Sequence, residues 1–227
     1  MKSNKIYIFL GFSLVIVVIT LSILTFSINN NYETTSVTKE DIEKIEKYVE
    51  LYPENTDSLM YLARAYSKKG LYEKVIPVYK KMITLEPEND QYTYRLSIAY
   101  IENKQYELGL EQLNYTDKLN PSHPTTLLLM SQINLLLGNY SEANLLALKS
   151  LKSAEEMMDN PSHYKKWRDI SSNFNETNVH VWIDTIEILS LDSLKILAIE
   201  NAMKLSVNMK EEEKEYLLDQ LEFLKKD

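Results

Sequence analysis

An all-α solenoid of paired helices, preceded by one transmembrane helix, is the fold class predicted for this 227-residue sequence, on three observations. The first is a fixed interval. Pro53, Pro87 and Pro121 stand 34 residues apart; Leu62, Leu96 and Met130 keep that spacing, as do Tyr72, Tyr106 and Tyr140, and Tyr66 is matched by Tyr100. A period of this size marks a stacked helix-turn-helix unit, too small to bury its own apolar face and therefore packed against its neighbours. The second is composition: four glycines and six prolines leave little material for hairpin turns, while abundant Leu, Lys, Glu, Ile and Met favour helix. The third is the stretch Ile6–Ile28, 23 residues without a charge.

That stretch sets the organisation of the amino terminus. As a helix it is about 34 Å long, enough to cross a hydrocarbon core of about 30 Å. Ser13, Thr20, Ser22 and Thr25 can hydrogen-bond to their own helix, and Tyr7 stands where an interfacial aromatic is favoured. The run exceeds the ~7–15 residues of a cleaved signal core, and no small-x-small alanine site follows it. An uncleaved anchor is therefore expected. Lys2 and Lys5 precede the span and the next lysine is Lys39, so the amino terminus is expected in the cytoplasm and the remainder outside a cell membrane crossed once. Residues 29–37 read as a polar tether.

The remaining composition excludes several classes. Without cysteine there is no disulfide, thiolate metal site or cysteine nucleophile. The net charge is −8, and every acidic residue lies beyond position 28, a balance that disfavours phosphate backbones and hence nucleic acid. An apolar content of 44% is enough for a core.

The solenoid is expected over residues 38–158. Thr38 and Asp41 resemble a capping box. The helix they open carries Ile42, Ile45 and Val49, stops at Pro53, and occupies a second-helix slot as an amino-terminal cap. In the unit 56–89, Leu59, Leu62, Ala63 and Tyr66 form one stripe, Gly70 makes the turn, and Tyr72, Val75, Tyr79 and Met82 form the facing stripe. Pro77 is expected near the start of the second helix, where a missing amide costs little. The unit 90–123 repeats Leu96, Tyr100, Tyr106, Gly109 and Leu113, with Lys104 in the turn-glycine position, where a left-handed lysine is tolerable. The unit from Pro124 keeps Met130, Gly138, Tyr140, Ala143 and Ala147. Asn134 replaces its tyrosine, and Glu155 stands where proline was due, so its second helix is expected to reach about Asp159.

Beyond the repeats the register breaks. Residues 159–178 are polar and turn-rich and read as a loop or a loose short helix. Residues 181–205 return to a helical apolar pattern, either a degenerate helix pair bent near Ser190–Ser193 or one long helix. Residues 210–226 carry Tyr216, Leu217, Leu221 and Leu224 on one face of a charged helix, suited to closing the end of a solenoid.

The unit 56–89 resembles a tetratricopeptide repeat: Leu59, Leu62, Ala63, Tyr66, Gly70, Tyr72, Tyr79 and Pro87 match the family pattern, while Val75 and Met82 are bulkier than its usual small residues. The resemblance implies a right-handed solenoid whose first helices line a concave groove. Its groove positions fall on Asp57, Met60, Arg64, Ser67 and Lys68, then Gln91, Tyr94, Ile98 and Ile101, then Thr125, Leu128, Gln132 and Leu135. Of these, Met60, Arg64, Tyr94, Ile98, Ile101, Leu128 and Gln132 are the candidate partner-binding residues. Together they offer an apolar floor for a protein or peptide ligand, with Arg64 placed to hold a carboxylate. The same floor could instead meet the chain's own carboxy-terminal helices. The Lys/Asn clamp by which some family members hold peptide carboxy-termini is absent, since Met60 and Arg64 occupy its positions. The run Tyr48–Asn55 through Leu62–Tyr66 also looks like the repeat domain of membrane-bound cytochrome c maturation factors, which present apocytochrome for haem attachment. The functional expectation is a membrane-anchored binding scaffold, acting as an assembly or chaperone factor. The alternatives are that maturation role and a regulatory subunit of a membrane enzyme complex.

No catalytic, cofactor or metal site is expected. His123, His163 and His180 have no metal-binding spacing, and neither a nucleophile turn nor a glycine-rich phosphate loop occurs. Glu155–Glu156 and Glu211–Glu213 read as solvated charge. Trp167, flanked by Lys165, Lys166 and Arg168, could dock on a lipid surface or an acidic partner, or tuck beneath its own segment. Three Asn-x-Ser/Thr sequons carry no weight in a chain of bacterial appearance.

Overall fold

A computed structural model describes residues 37–157, 160–176, 178–205 and 209–225; the apolar stretch 6–28 and most of the tether lie outside them. The elements are α1 (Lys39–Leu51), α2 (Thr56–Lys68), α3 (Tyr72–Leu85), α4 (Asp90–Glu102), α5 (Tyr106–Leu119), α6 (Pro124–Leu136), α7 (Tyr140–Glu156), α8 (Ser162–Ser172), α9 (Val179–Ile188), α10 (Asp192–Met203) and α11 (Glu211–Lys225). Among the described residues no helix is long and apolar enough to cross a membrane.

The chain divides into two compact units, Met1–Ile42 and Glu43–Asp227. In the first, Thr38 N and Oγ1 donate to Asp41 Oδ2 at 2.9 and 2.7 Å, and Asp41 N donates back to Thr38 Oγ1 at 3.1 Å. The aspartate thus closes the capping box that a longer Glu or Gln more often makes.

In the second unit α2 pairs with α3, α4 with α5 and α6 with α7, and successive pairs stack. The 34-residue interval is written into the backbone. Gly70, Lys104 and Gly138 hold φ of 66°, 59° and 86°, the same left-handed turn three times, and Lys104 accepts at some cost what glycine adopts freely. Asn55 and Asn89 cap α2 and α4, accepting from Ser58 N at 2.8 Å and Gln91 N at 3.2 Å. At the third equivalent position His123 makes no side-chain cap, and Pro124 opens α6 instead. Helices α1, α3 and α5 end two residues before Pro53, Pro87 and Pro121, as the steric demand of proline on its predecessor requires.

Within the pairs, Val75 and Met82 are fully buried despite their bulk, beside Leu59, Ala63 and Tyr79. Helices α4 and α5 approach closely at Gly109. A Cβ on Gly109 would stand 2.6 Å from Ile101 Cγ1 and 3.3 Å from the Ser97 carbonyl oxygen. Gly109→Ala should therefore destabilise by about 1–3 kcal/mol, against a helix-propensity gain of at most about 1 kcal/mol. Urea unfolding checks this, and a neutral or stabilising alanine would mean that Ile101 has room to move.

Three local expectations are corrected. Pro77 is the sixth residue of α3, not part of its first turn, so the hydrogen bond to the Glu73 carbonyl is lost inside the helix. Helix α7 stops at Glu156 rather than Asp159, with Met157 N bonded to the Ser153 carbonyl oxygen. The segment 159–178, placed as a loop in the domain division but also read as a loose short helix, contains the helix α8, which packs on α7.

Helix α8 also relocates Trp167. Its side chain is 0% exposed, and Nε1 donates to Ser131 Oγ at 2.8 Å, while Ser131 Oγ donates to the Ala143 carbonyl oxygen at 2.6 Å. The indole is a wedge fastened between α6 and α7, so of the two readings of Trp167 the buried one describes it and the surface-docking one does not. The bend proposed near Ser190–Ser193 is present, separating α9 from α10, and α11 closes on α10 with Leu217 fully buried.

Candidate functional site

Helix α6 decides how much of the groove is free. Residues 127–136 include Leu127, Leu128, Leu129, Met130, Ile133, Leu135 and Leu136, apolar in every direction around the helix, and all are buried. A helix of that kind is covered on all sides, whereas a first helix in an open array would show one side to the groove. The cover on its concave side is α10, which packs on both α4 and α6.

Polar contacts fasten α10 in place. Asn201 Nδ2 donates to the Leu136 carbonyl oxygen at 3.1 Å, supplying a partner to one of the carbonyls left over at the end of α6. Tyr106 Oη donates to the Ser193 carbonyl oxygen at 3.2 Å. Burial, with the nearby carboxylates of Glu200, Glu102 and Glu107, pushes the Tyr106 phenol up to about 12, so it remains a donor. The Glu102 carboxyl lies beside Ser193 at the start of α10. Burial holds its carboxyl above the ordinary range, Asp192 adding to the shift and Lys195 opposing it.

The expected groove residues divide accordingly. Ile101, Leu128 and Gln132 are 0%, 7% and 2% exposed, so they are interior residues covered by their own chain. About 50 Å³ remains between Tyr94, Ile98, Leu128 and Gln132 on one side and Ser190 and Leu191 on the other. Met60, Tyr94 and Ile98 are half-buried and Arg64 is exposed. The free portion is thus the side of α2 and α4 toward the amino-terminal end. A further cavity of about 490 Å³ opens between α4, the end of α5 and the start of α6, lined by Asp90, Gln91, Tyr94, Arg95, His123 and Thr125 among others.

Tyr79 of the facing stripe, itself buried, reaches this floor, and Arg95, which sequence reasoning passed over, lines the cavity. The Tyr79 hydroxyl reaches across α2 and donates to Met60 Sδ at 3.7 Å. Burial raises its pKa while Arg95 and Arg64, both close to it, pull the other way. Arg95 lies outside the family's groove pattern, but it is the i+4 neighbour of Gln91, itself a groove position, and that spacing was a usable signal.

Residues 68–150 match the family described as anaphase-promoting complex, cyclosome, subunit 3. That match runs from the end of α2 into α7 and takes in all three left-handed turns. The fold is that of a tetratricopeptide-repeat array. Among solved structures the array is similar to a MamA RS-1 ArsTM double mutant, at 15% identity and a TM-score of 0.52, over 73% of this chain and 92% of that one. A MamA protein crystal structure aligns at 14% identity with a TM-score of 0.50, over 81% and 91%. A tetratricopeptide repeat protein from Parabacteroides merdae aligns at 16% identity with a TM-score of 0.46, over 82% and 77%. The two MamA likenesses speak to fold alone. No curated protein matches the sequence. Among the described residues of the array no group of three or more His, Asp or Glu is placed to hold a metal ion.

Proposed function

We propose that this chain is a membrane-anchored scaffold that binds a protein partner along the open side of α2 and α4. Tetratricopeptide arrays suit protein–protein interaction because paired helices expose a continuous concave wall. The observation that carries the reading here is the split of that wall. Helix α10 covers α6, while Met60, Arg64, Tyr94 and Ile98 keep accessible surface. Attachment to a membrane through residues 6–28, with the array on the extracytoplasmic side, rests on the length and charge asymmetry of that segment.

A photo-crosslinking amino acid placed at Met60 in living cells tests the reading. A discrete adduct is expected at Met60, and none at the exposed Leu145 of α7. Equal labelling at both positions, or none at Met60, would remove the groove as the binding face. Recovery of an apocytochrome as the adduct would select the maturation-factor role over a general scaffold. Protease added to cells stripped of their outer layers should degrade the array; full protection would place it on the cytoplasmic side and end the topological part of the proposal.

A further inference from the structure

Helix α1 stands in a second-helix slot of the array, and counting 34 residues on from Ile45 and Tyr48 gives Tyr79 and Met82 of α3. Those two are buried within the α2–α3 pair, at 3% and 0% exposed. Tyr48, in contrast, opens to solvent together with Leu51, Tyr52 and Tyr61, the four being 51% to 74% exposed. They form one surface. The Tyr48 and Tyr52 rings lie 4.8 Å apart between centroids, and Tyr48 of α1 and Tyr61 of α2 line a single cavity of about 500 Å³ with Ile45. Leu51 adjoins them as the i+3 neighbour of Tyr48. Single exposed apolar residues are ordinary on a protein, whereas a contiguous group rimmed by charge marks an interaction site.

We propose that this surface lies on the headgroup layer of the membrane that carries the chain. The proposal depends on the anchor reading above and adds to it a second contact, made by the first helices of the array. Distance along the chain is the first support. Only residues 29–38 join the apolar stretch to α1, a reach of at most about 35 Å, so the surface is held at high effective concentration beside the bilayer and weak affinity is enough to seat it. Counting 34 back from Leu59, Leu62 and Ala63 gives Thr25, Ile28 and Asn29, so in the anchor reading the positions due to pair with α1 belong to the end of the span. Side-chain chemistry is the second support. Three of the four residues are tyrosines, whose apolar ring and hydroxyl suit the level where hydrocarbon meets water. Over residues 43–57 five carboxylates, Glu43, Glu46, Glu50, Glu54 and Asp57, stand against two lysines, Lys44 and Lys47. The surface is therefore matched to zwitterionic headgroups and repelled by anionic ones.

The chain has no cysteine, so Leu51→Cys or Leu145→Cys carries an environment-sensitive nitrobenzoxadiazole label at a unique site. The full chain is placed in phosphatidylcholine nanodiscs at one copy per disc, with and without lipids bearing a nitroxide below the headgroup. The label at position 51 should lose at least ~2-fold of its intensity to the nitroxide, since an interfacial side chain sits about 5–10 Å into the headgroup boundary. The label at position 145, on α7, should keep its intensity. Tyr61→Glu sets a carboxylate on the neighbouring helix of the same surface and should abolish the quenching at 51. Tyr61 is exposed, so circular dichroism melts of that variant should match the parent. Replacing part of the lipid with phosphatidylglycerol should weaken the quenching. The proposal is overturned by an unquenched label at 51 in a chain that co-elutes with its disc, by quenching that survives Tyr61→Glu, or by quenching that grows with anionic lipid. A label that responds only when discs carry two copies assigns the surface to a second chain, and one shielded in single-copy discs without quenching assigns it to another part of its own chain; either result overturns the proposal. A chain that does not stay with the disc removes the anchor reading itself, and the proposal with it.

Discussion

Trp167→Ala should be among the most damaging single substitutions in the array, with an expected loss of about 3–5 kcal/mol. The indole has no exposed surface and fills the junction of α6, α7 and α8. Truncation to alanine leaves a cavity the size of a bicyclic ring and deprives Ser131 Oγ of its donor. A loss of that size lowers the melting temperature by roughly 10 °C in a domain of this length. Trp167→Phe keeps much of the apolar volume but not the N–H, so it should cost about 1–2 kcal/mol. Urea unfolding of the two variants separates packing from hydrogen bonding. A cost below about 1 kcal/mol for the alanine would mean that α8 is not anchored through this residue.

The second large effect is expected from Leu194→Ala, at about 2–5 kcal/mol. Leu194 is fully buried on the first turn of α10, beside the contacts that fix this helix over α4 and α6. Because α10 is joined to the repeats mainly through this face, the loss should concentrate there rather than spread through the array. Amide hydrogen exchange in α6 should quicken while α2 and α3 keep their protection. Unchanged exchange in α6 would show that α10 does not cover it. Glu102 gives an independent handle on the same contact. Its carboxyl is held above the ordinary value in the folded state, so the folded protein binds that proton more tightly than the unfolded chain does. Stability from this group is greatest below the ordinary carboxylate range and is lost as pH rises through the folded value.

Much of the array was legible because its determinants are local and repeat. Gly70, Lys104 and Gly138 stand in identical turns, and Pro53, Pro87 and Pro121 follow identical helix ends, so the register could be read by counting. Lys104 in particular shows that the turn conformation, not the glycine, is what recurs. The segment 159–178 was read poorly because serine, asparagine and histidine weigh against helix locally, whereas α8 is held by the tertiary burial of Tyr164 and Trp167. The cover over the groove was invisible for a different reason. Tyr106 meets Ser193 across 87 positions, and Asn201 meets Leu136 across 65, distances over which no periodicity carries information. One signal was nevertheless present. The run Leu127-Leu128-Leu129-Met130, followed by Ile133, Leu135 and Leu136, has no polar stripe, and a helix with no polar side must be enclosed. Arg95 escaped notice because a pattern of groove positions inherited from a family leaves no place for a residue peculiar to one chain.

The placement of α10 turns an open trough into a blind alley. First helices of adjacent pairs lie about 10 Å apart, and an extended chain advances about 3.3 Å per residue. A guest laid across α2 and α4 therefore runs out of room after roughly six residues. In the binding role proposed above, such a dead end would gauge the length of what enters it and favour a loose end over a loop drawn from the middle of a folded partner.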